Sequence, residues 1–329
     1  MSLRENNLLL EVENLYVSYR RYWYTLHVLN GVSMSLRRGE RVGLIGESGS
    51  GKTTLLKSIL RILPPNGEIV GGSINYDGRE ITSLSEKELS HIRRREIGMI
   101  FQDPMAALNP VFKVKDQLYD ILRYKLGEEG SKPDNKLLRD HALKLLNDVK
   151  LPDPERVLNS YPFQLSGGMR QRVMIAMALA SANSLLLADE PTTNLDVTIQ
   201  DQILKLIHKL VTEKNLGTIL VSHALGMVNR MTDRVYVLYA GDIMETAKTS
   251  EIMNNPRHPY TQLLISSTPR LSSVGVGEGI KGKLPDYRFP ISGCRFAPRC
   301  PYAMQKCFTQ KPGVTRLNSN HLVACYLYE

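Results

Sequence analysis

Cysteine is missing from the first 293 of the 329 residues, and tryptophan occurs once. A disulfide framework is thereby excluded from most of the chain. Long hydrophobic runs are missing too. Stretches such as "SLLLA" and "TILV" fall far short of the roughly 20 apolar residues that cross a bilayer. The opening "MSLRENNLLLEVEN" sets charges on both sides of a three-leucine run, which is not the order of a signal peptide. The chain is therefore read as cytosolic.

What is present is ordinary for a globular protein: 42% hydrophobic and 23% charged residues, in a length that fits one large domain with an appendage or two domains. The net charge is +9, and it is unevenly spread. Residues 270–329 hold nine Lys/Arg against three acids, so this tail contributes 9 − 3 = +6. Such an excess suits nucleic acid, acidic headgroups or an anionic cofactor, although a solvated basic surface is the plainer expectation.

The segment "RVGLIGESGSGKTTLLKSIL" joins a buried-strand pattern to an apolar repeat at helical spacing, which predicts a helix through "TTLLKSILRIL". Between them stands G-x-x-x-x-G-K-[ST], with Gly46, Gly51, Lys52 and Thr53 in register. Glycines let the backbone curl so that successive N–H groups aim at phosphate oxygens, and the following helix adds its positive end. Lys52 is placed to reach the β- and γ-phosphates and the Thr53 hydroxyl to take Mg²⁺. A glycine-rich turn with an accidental lysine is the rival, and it is weakened by the strand before and the helix after.

In "SLLLADEP", Leu185, Leu186, Leu187 and Ala188 read as a strand buried on both faces that ends in Asp189-Glu190. Ligands bind at that carboxyl edge of a parallel sheet. Adjacent acids on a strand point to opposite sides, so they take different jobs: Asp189 the Mg²⁺ shell, Glu190 the attacking water. A second helix start, "LSGGMRQRVMIAMALA", offers Ser166, Gly167 and Gly168 at its tip. That makes two anion-receiving helix ends in one chain, more than one triphosphate needs.

Together these stretches resemble the ABC ATPases, from about residue 8 to residue 250. Leu165-Ser166-Gly167-Gly168-Met169 looks like their signature motif, Gln102 in "MIFQDP" like the Q-loop glutamine, His223 in "ILVSHA" like the switch histidine, and Asn194-Leu195-Asp196 in "TTNLD" like the D-loop. The resemblance implies an α/β P-loop ABC ATPase domain over residues 1–250, with a parallel core sheet, an antiparallel β subdomain and a helical subdomain at about 103–180. A small Cys-rich extension follows over 251–329. It also implies ATP bound by Gly46, Glu47, Ser48, Gly49, Ser50, Gly51, Lys52, Thr53 and Thr54, with Tyr19 stacked on adenine; Trp23 and Tyr24 compete for that role. Mg²⁺ falls to Thr53, Gln102 and Asp189, and hydrolysis to Glu190, His223 and Gln102. The signature of one subunit would close over the ATP of another.

The helical insertion reads as "KVKDQLYDILRYKL", with Val114, Leu118 and Ile121 or Leu122 on one face, and "NKLLRDHALKLLNDVKL". In the family it docks a permease. Narrower still, "IFQDPMAALNP", "LLLADEPTTNLDVTIQDQIL" and "NNPRHPYTQLL" look like ATP-binding subunits of dipeptide/oligopeptide importers, the first of two that pair. Implied partners are a second, homologous ATPase subunit, two transmembrane permease subunits and an extracellular solute-binding protein, at the cytoplasmic face of the plasma membrane. Oligosaccharide or nickel importers share nearly the same motor. Phe163, Asn194 and Ala224 depart from the usual His, Ala and Asp; the last borders His223. A soluble ABC ATPase acting on nucleic acid is the rival class, disfavoured by a single phosphate loop and no heptad run.

The cysteines, Cys294, Cys300, Cys307 and Cys325, follow C-x5-C-x6-C-x17-C. Structural zinc prefers pairs two to four residues apart, and disulfides are disfavoured in a cytosolic chain. Four thiolates can ligate a [4Fe–4S] cluster, whose negative charge Arg295, Arg299 and Lys306 would offset. Zinc, another metal or free thiols remain open. The importer subunits that this chain resembles often end in this pattern, some with such a cluster. Its role would be structural, pinning a tail too small to bury a core, or it would make the chain a redox sensor.

Overall fold

The computed structural model describes residues 7–127, 133–193, 195–267 and 279–329. The chain divides into two compact units, one made of Met1–Ser83 with Leu220–Glu329 and the other of Leu84–Ile219.

In the first unit, β1 (Leu8–Arg20) and β2 (Thr25–Arg37) form a long antiparallel hairpin, and β1 also pairs with β4 (Gly67–Tyr76), which carries the short β5 (Arg79–Glu80). Val12 faces Met34 on one side and Ile74 on the other, all three buried, so alternate residues weld this sheet. Strand β3 (Arg41–Ile45) runs parallel to β9 (Arg234–Tyr239), with Ile45 opposite Val237. Antiparallel strands then follow: β10 (Asp242–Lys248), β12 (His321–Val323) and β11 (Thr315–Asn318).

Helix α1 (Lys52–Ile59) leaves the phosphate loop but stops earlier than its apolar repeat suggests. Arg61 takes a left-handed φ of +50°, and Pro64 and Pro65 cannot continue a helix. The carboxy-terminal residues do not need a core of their own. Tyr260 and Phe296 are fully buried against Tyr239, with ring centroids 4.6 to 5.3 Å apart, in one cluster with Ile45, Val235 and Val237. Truncating such a ring costs about 3–5 kcal/mol. Helices α10 (Thr249–Asn254), α11 (Pro259–Ser266) and α12 (Gln305–Thr309) belong to this part, and α9 (Leu225–Met231) precedes β9.

The second unit holds α2 (Glu86–Arg95), the parallel pair β6 (Ile97–Ile100) and β7 (Leu185–Asp189), and helices α3 (Pro104–Ala107), α4 (Val114–Leu126), α5 (Asn135–Asp148), α6 (Pro154–Asn159), α7 (Gly167–Ser181) and α8 (Val197–Glu213). Every residue of β7 is buried, as the unbroken apolar run requires. Helix α4 buries Val114, Leu118 and Leu122, leaving Ile121 at the margin; α5 buries Leu138, Ala142 and Leu146. Gly98 lets α7 lie on β6, because a Cβ there would sit 2.1 Å from the Ala178 carbonyl oxygen. The fully buried β8 (Gly217–Val221) carries the chain onward to Ser222 and His223. Among the described residues no helix is long and apolar enough to cross a membrane.

Candidate functional site

The loop between β3 and α1 curls through three positive-φ glycines: Gly46 at +153°, Gly49 at +81° and Gly51 at +106°. Lys52 is buried, and its Nζ donates to the carbonyls of Gly46 (2.9 Å) and Glu47 (2.8 Å). The Gly241 N–H donates to the Ser50 carbonyl at 2.8 Å. The loop is thus a preformed ring of peptide groups at the start of a helix, the geometry that receives phosphate. Ser48, Thr53 and Thr54 lie on the same turn. Tyr19 reaches it, with Oη 3.1 Å from Thr54 Oγ1 and its ring against Gly67. Trp23 is 86% exposed and Tyr24 43%. Of the three competing aromatics, Tyr19 is the one hydrogen-bonded to the first turn of α1 among the described residues.

Sequence reasoning missed what stands behind this loop. Glu47 N–H donates to Tyr260 Oη at 2.9 Å, and Tyr287 Oη donates to the Gly49 carbonyl at 2.7 Å. Arg299 Nη1 lies 3.1 Å from both carboxylate oxygens of Glu47. The partners are over 200 residues apart, and no local pattern signals them.

In the second unit, Asp189 ends β7 with 2% exposure. Glu190 adopts a left-handed φ of +46°, a conformation that costs a non-glycine residue about 1–2 kcal/mol. The kink turns its carboxylate toward Gln102 Nε2, which donates to Oε2 at 3.0 Å, and toward Thr193 Oγ1 at 3.1 Å. Gln102 and Glu190 are 88 residues apart in sequence. Buried Gln171 donates to the Pro191 carbonyl and fixes the turn that follows.

Ser166 caps α7, its side chain accepting from the Met169 N–H at 3.4 Å. Leu165 is buried as the anchor, whereas Ser166 and Gly167 are exposed and Gly168 half-buried. A Cβ at Gly167 would meet nothing within 4 Å, so this helix tip lies open. Leu195 and Asp196 precede α8, with Asp196 at its N-cap; Asn194 lies outside the described residues. His223 is exposed on the loop after β8, and Ala224 starts α9 without a side-chain cap.

The four cysteines line one cavity, together with His258, Phe296, Tyr302 and Pro312. All four are free thiols. The Cys307 sulfur accepts the Met304 N–H at 3.4 Å. Burial pushes the Cys294 thiol up to about 11, and it raises Cys300 and Cys325 as well. Bare thiolates are therefore disfavoured there. Among the described residues no three His, Cys, Asp or Glu side chains are gathered closely enough to grip a single metal ion.

Several basic residues of this tail have carboxylate partners within the chain. Arg295 is buried and donates to the Ala240 carbonyl beside Asp242, Arg299 is held by Glu47, and Lys306 pairs with Glu329 at 3.2 Å. Arg288 and Lys311 pair with Asp286 and Asp242.

The family described as "ABC transporter" matches residues 29–193, and "Oligopeptide/dipeptide transporter, C-terminal region" matches 244–307. The oligopeptide transport ATP-binding protein OppD of Bacillus subtilis (strain 168) is 44% identical over 324 residues, 97% of this chain and 88% of that protein. The dipeptide transport ATP-binding protein DppD of the same organism is 44% identical over 323 residues, 97% and 95% of the two chains. OppD of Salmonella typhimurium is 41% identical over 97% of this chain and 94% of its own. Among solved structures, the dimeric ATP-binding cassette MJ0796 in a post-hydrolysis state with ADP and Pi superposes with a TM-score of 0.65 at 30% identity, covering 73% of this chain and 99% of that one. A phosphate loop, an acid held by a distant glutamine, an open serine–glycine helix tip and these similarities lead to one assignment: the chain belongs to the ABC transporter family of ATP-hydrolysing subunits.

Proposed function

We propose that this chain is an ATP-driven motor of a peptide importer, with oligopeptides or dipeptides as the cargo of the assembly. The observation that carries the cargo class is the match of the carboxy-terminal region, together with relatives named for peptide transport along nearly their whole length. As in the resembled family, two transmembrane permease subunits and an extracellular binding protein complete the machine. A second, homologous ATPase subunit pairs with this one at the cytoplasmic face of the membrane.

Gly46 to Thr54 cradle the triphosphate, and Tyr19 stacks on adenine. The donor set proposed for Mg²⁺, namely the Thr53 hydroxyl, the Gln102 amide oxygen and the Asp189 carboxylate, consists of hard oxygens suited to that ion. Bound there, Mg²⁺ would neutralise phosphate charge. Glu190 polarises the attacking water, Gln102 holds its carboxylate, and His223 completes the site. Leu165 to Met169, with Asn194, Leu195 and Asp196, face the nucleotide of the partner subunit. Cys294, Cys300, Cys307 and Cys325 hold a [4Fe–4S] cluster. Four free sulfurs around one cavity support that ligand set.

Glu190→Gln tests the hydrolytic reading. It keeps the shape and the Gln102 contact but removes the base, so the paired ATPase should bind ATP and lose turnover at this site. Turnover at the native rate would contradict the assignment. Loss of labelled oligopeptide uptake in cells carrying this variant, with glucose uptake unchanged, tests the cargo class.

A further inference from the structure

We propose that Arg299, supported by Tyr260 and Tyr287, positions the phosphate-binding loop for ATP, so that the carboxy-terminal segment is a working part of the nucleotide site. This rests on the ATP-binding reading above and deepens it.

The Arg299 guanidinium is fixed on every side. Nε donates to the Lys281 carbonyl at 2.8 Å, Nη2 to the Ile280 carbonyl at 3.0 Å, and Nη1 to Tyr239 Oη at 3.2 Å as well as to both oxygens of Glu47. Its side chain is 5% exposed, and that of Glu47 27%. An arginine so enclosed has one geometry to offer, and that geometry ends on the residue after Gly46.

Glu47 is an odd residue for this place. The loop gathers N–H groups and Lys52 to receive a polyanion, yet Glu47 adds a carboxylate to it. Left unpaired, that carboxylate would repel phosphate across a short, partly dehydrated gap. Arg299 cancels the charge and ties the side chain back. Tyr260 Oη holds the Glu47 N–H and Tyr287 Oη holds the Gly49 carbonyl, so two loop peptides are clamped from the same carboxy-terminal segment. Leu284 packs on Gly49 from that side too. Arg299 is followed directly by Cys300, so the arginine and the cysteine-lined cavity share one turn of backbone. Arg299 touches no reacting atom; it acts through Glu47.

The test is equilibrium binding of radiolabelled ATP with magnesium to the full chain and its variants. Arg299→Met strands the carboxylate, and affinity should fall by about tenfold or more. The double variant Glu47→Gln with Arg299→Met removes the stranded charge and should recover most of that loss. Melting temperatures of the same variants separate this from a purely structural role, which would lower ATP binding only in proportion to the unfolded fraction. Wild-type affinity in Arg299→Met overturns the proposal, as does a double variant as weak as Arg299→Met alone. Should Arg299→Met fail to fold, Arg299→Lys and Tyr287→Phe carry the test. Each should weaken ATP binding by about threefold, and native affinity in both overturns the proposal. If the wild-type chain itself binds no ATP, the underlying reading fails, an outcome distinct from the variants behaving like wild type.

Discussion

Gly46→Ala is the substitution whose effect the loop geometry specifies most fully. An alanine Cβ at this position would lie 2.0 Å from the Leu238 carbonyl oxygen and 2.9 Å from Ser50 Oγ. Cβ atoms do not approach heavy atoms within 3.0 Å, so loop and strand must part by about 1 Å. Leu238 sits inside β9, fully buried and paired with β10 through Ile243, so the strand cannot retreat freely. Overpacking of this kind costs about 1–3 kcal/mol, and the φ of +153°, open to glycine alone, adds about 1–3 kcal/mol. The melting temperature should drop by about 10 °C. ATP binding should weaken by about 30-fold or more, since one or two peptide N–H groups leave their phosphate partners. Gly49→Ala is the matched control. Its φ of +81° is also strained, but the nearest atom is the flexible Leu284 Cδ1 at 3.3 Å, so only about 1–2 kcal/mol is expected. Differential scanning calorimetry and ATP titration of both variants decide the matter. A Gly46→Ala protein that melts and binds like wild type, or one less affected than Gly49→Ala, would refute the steric reasoning.

Two further outcomes are expected. Purified without oxygen, the chain should be brown, absorb at about 400 nm and carry iron and sulfide; Cys307→Ser should lose the colour, and a colourless native protein with stoichiometric zinc would exclude the cluster. Burial pushes the Tyr287 phenol up to about 12 and raises Tyr260 and Tyr239 as well. The folded state therefore holds these protons more tightly than the unfolded chain. The stability contribution is complete below pH of about 10 and is lost as pH rises toward 12, on the order of 2 kcal/mol for Tyr287. Denaturant midpoints measured across that range check the slope, and Tyr287→Phe should flatten it.

The phosphate loop, the buried strand ending in two acids and the serine–glycine helix tip were legible because each is a short run whose backbone geometry its own residues dictate. Gly46 and Gly51 announce a curled backbone, and "SLLLAD" announces a strand covered on both faces. Less legible was where α1 stops, since the apolar repeat continues past Arg61 while the chain obeys the two prolines. The left-handed turn at Glu190 gave no sign, because nothing in "DEPTT" demands positive φ from a glutamate. Least legible was the carboxy-terminal support. Tyr260, Tyr287 and Arg299 look like ordinary tail residues until strands β11 and β12 dock on β10 and Phe296 enters the core. The carboxylate partners of the tail's basic residues were hidden for the same reason: Glu47 and Asp242 lie in remote parts of the sequence.

The central claim is that the helix tip at Ser166 serves the nucleotide of a different subunit from the one held by Lys52. Ser166→Asp tests it most directly. Aspartate caps a helix as well as serine does, so α7 should persist, but its charge repels a triphosphate brought to the tip. ATP affinity of the variant chain alone, measured beside the turnover of the assembled ATPase pair, gives the answer. Unchanged affinity with turnover lost is the predicted result; a variant chain that can no longer bind its own ATP would contradict the account.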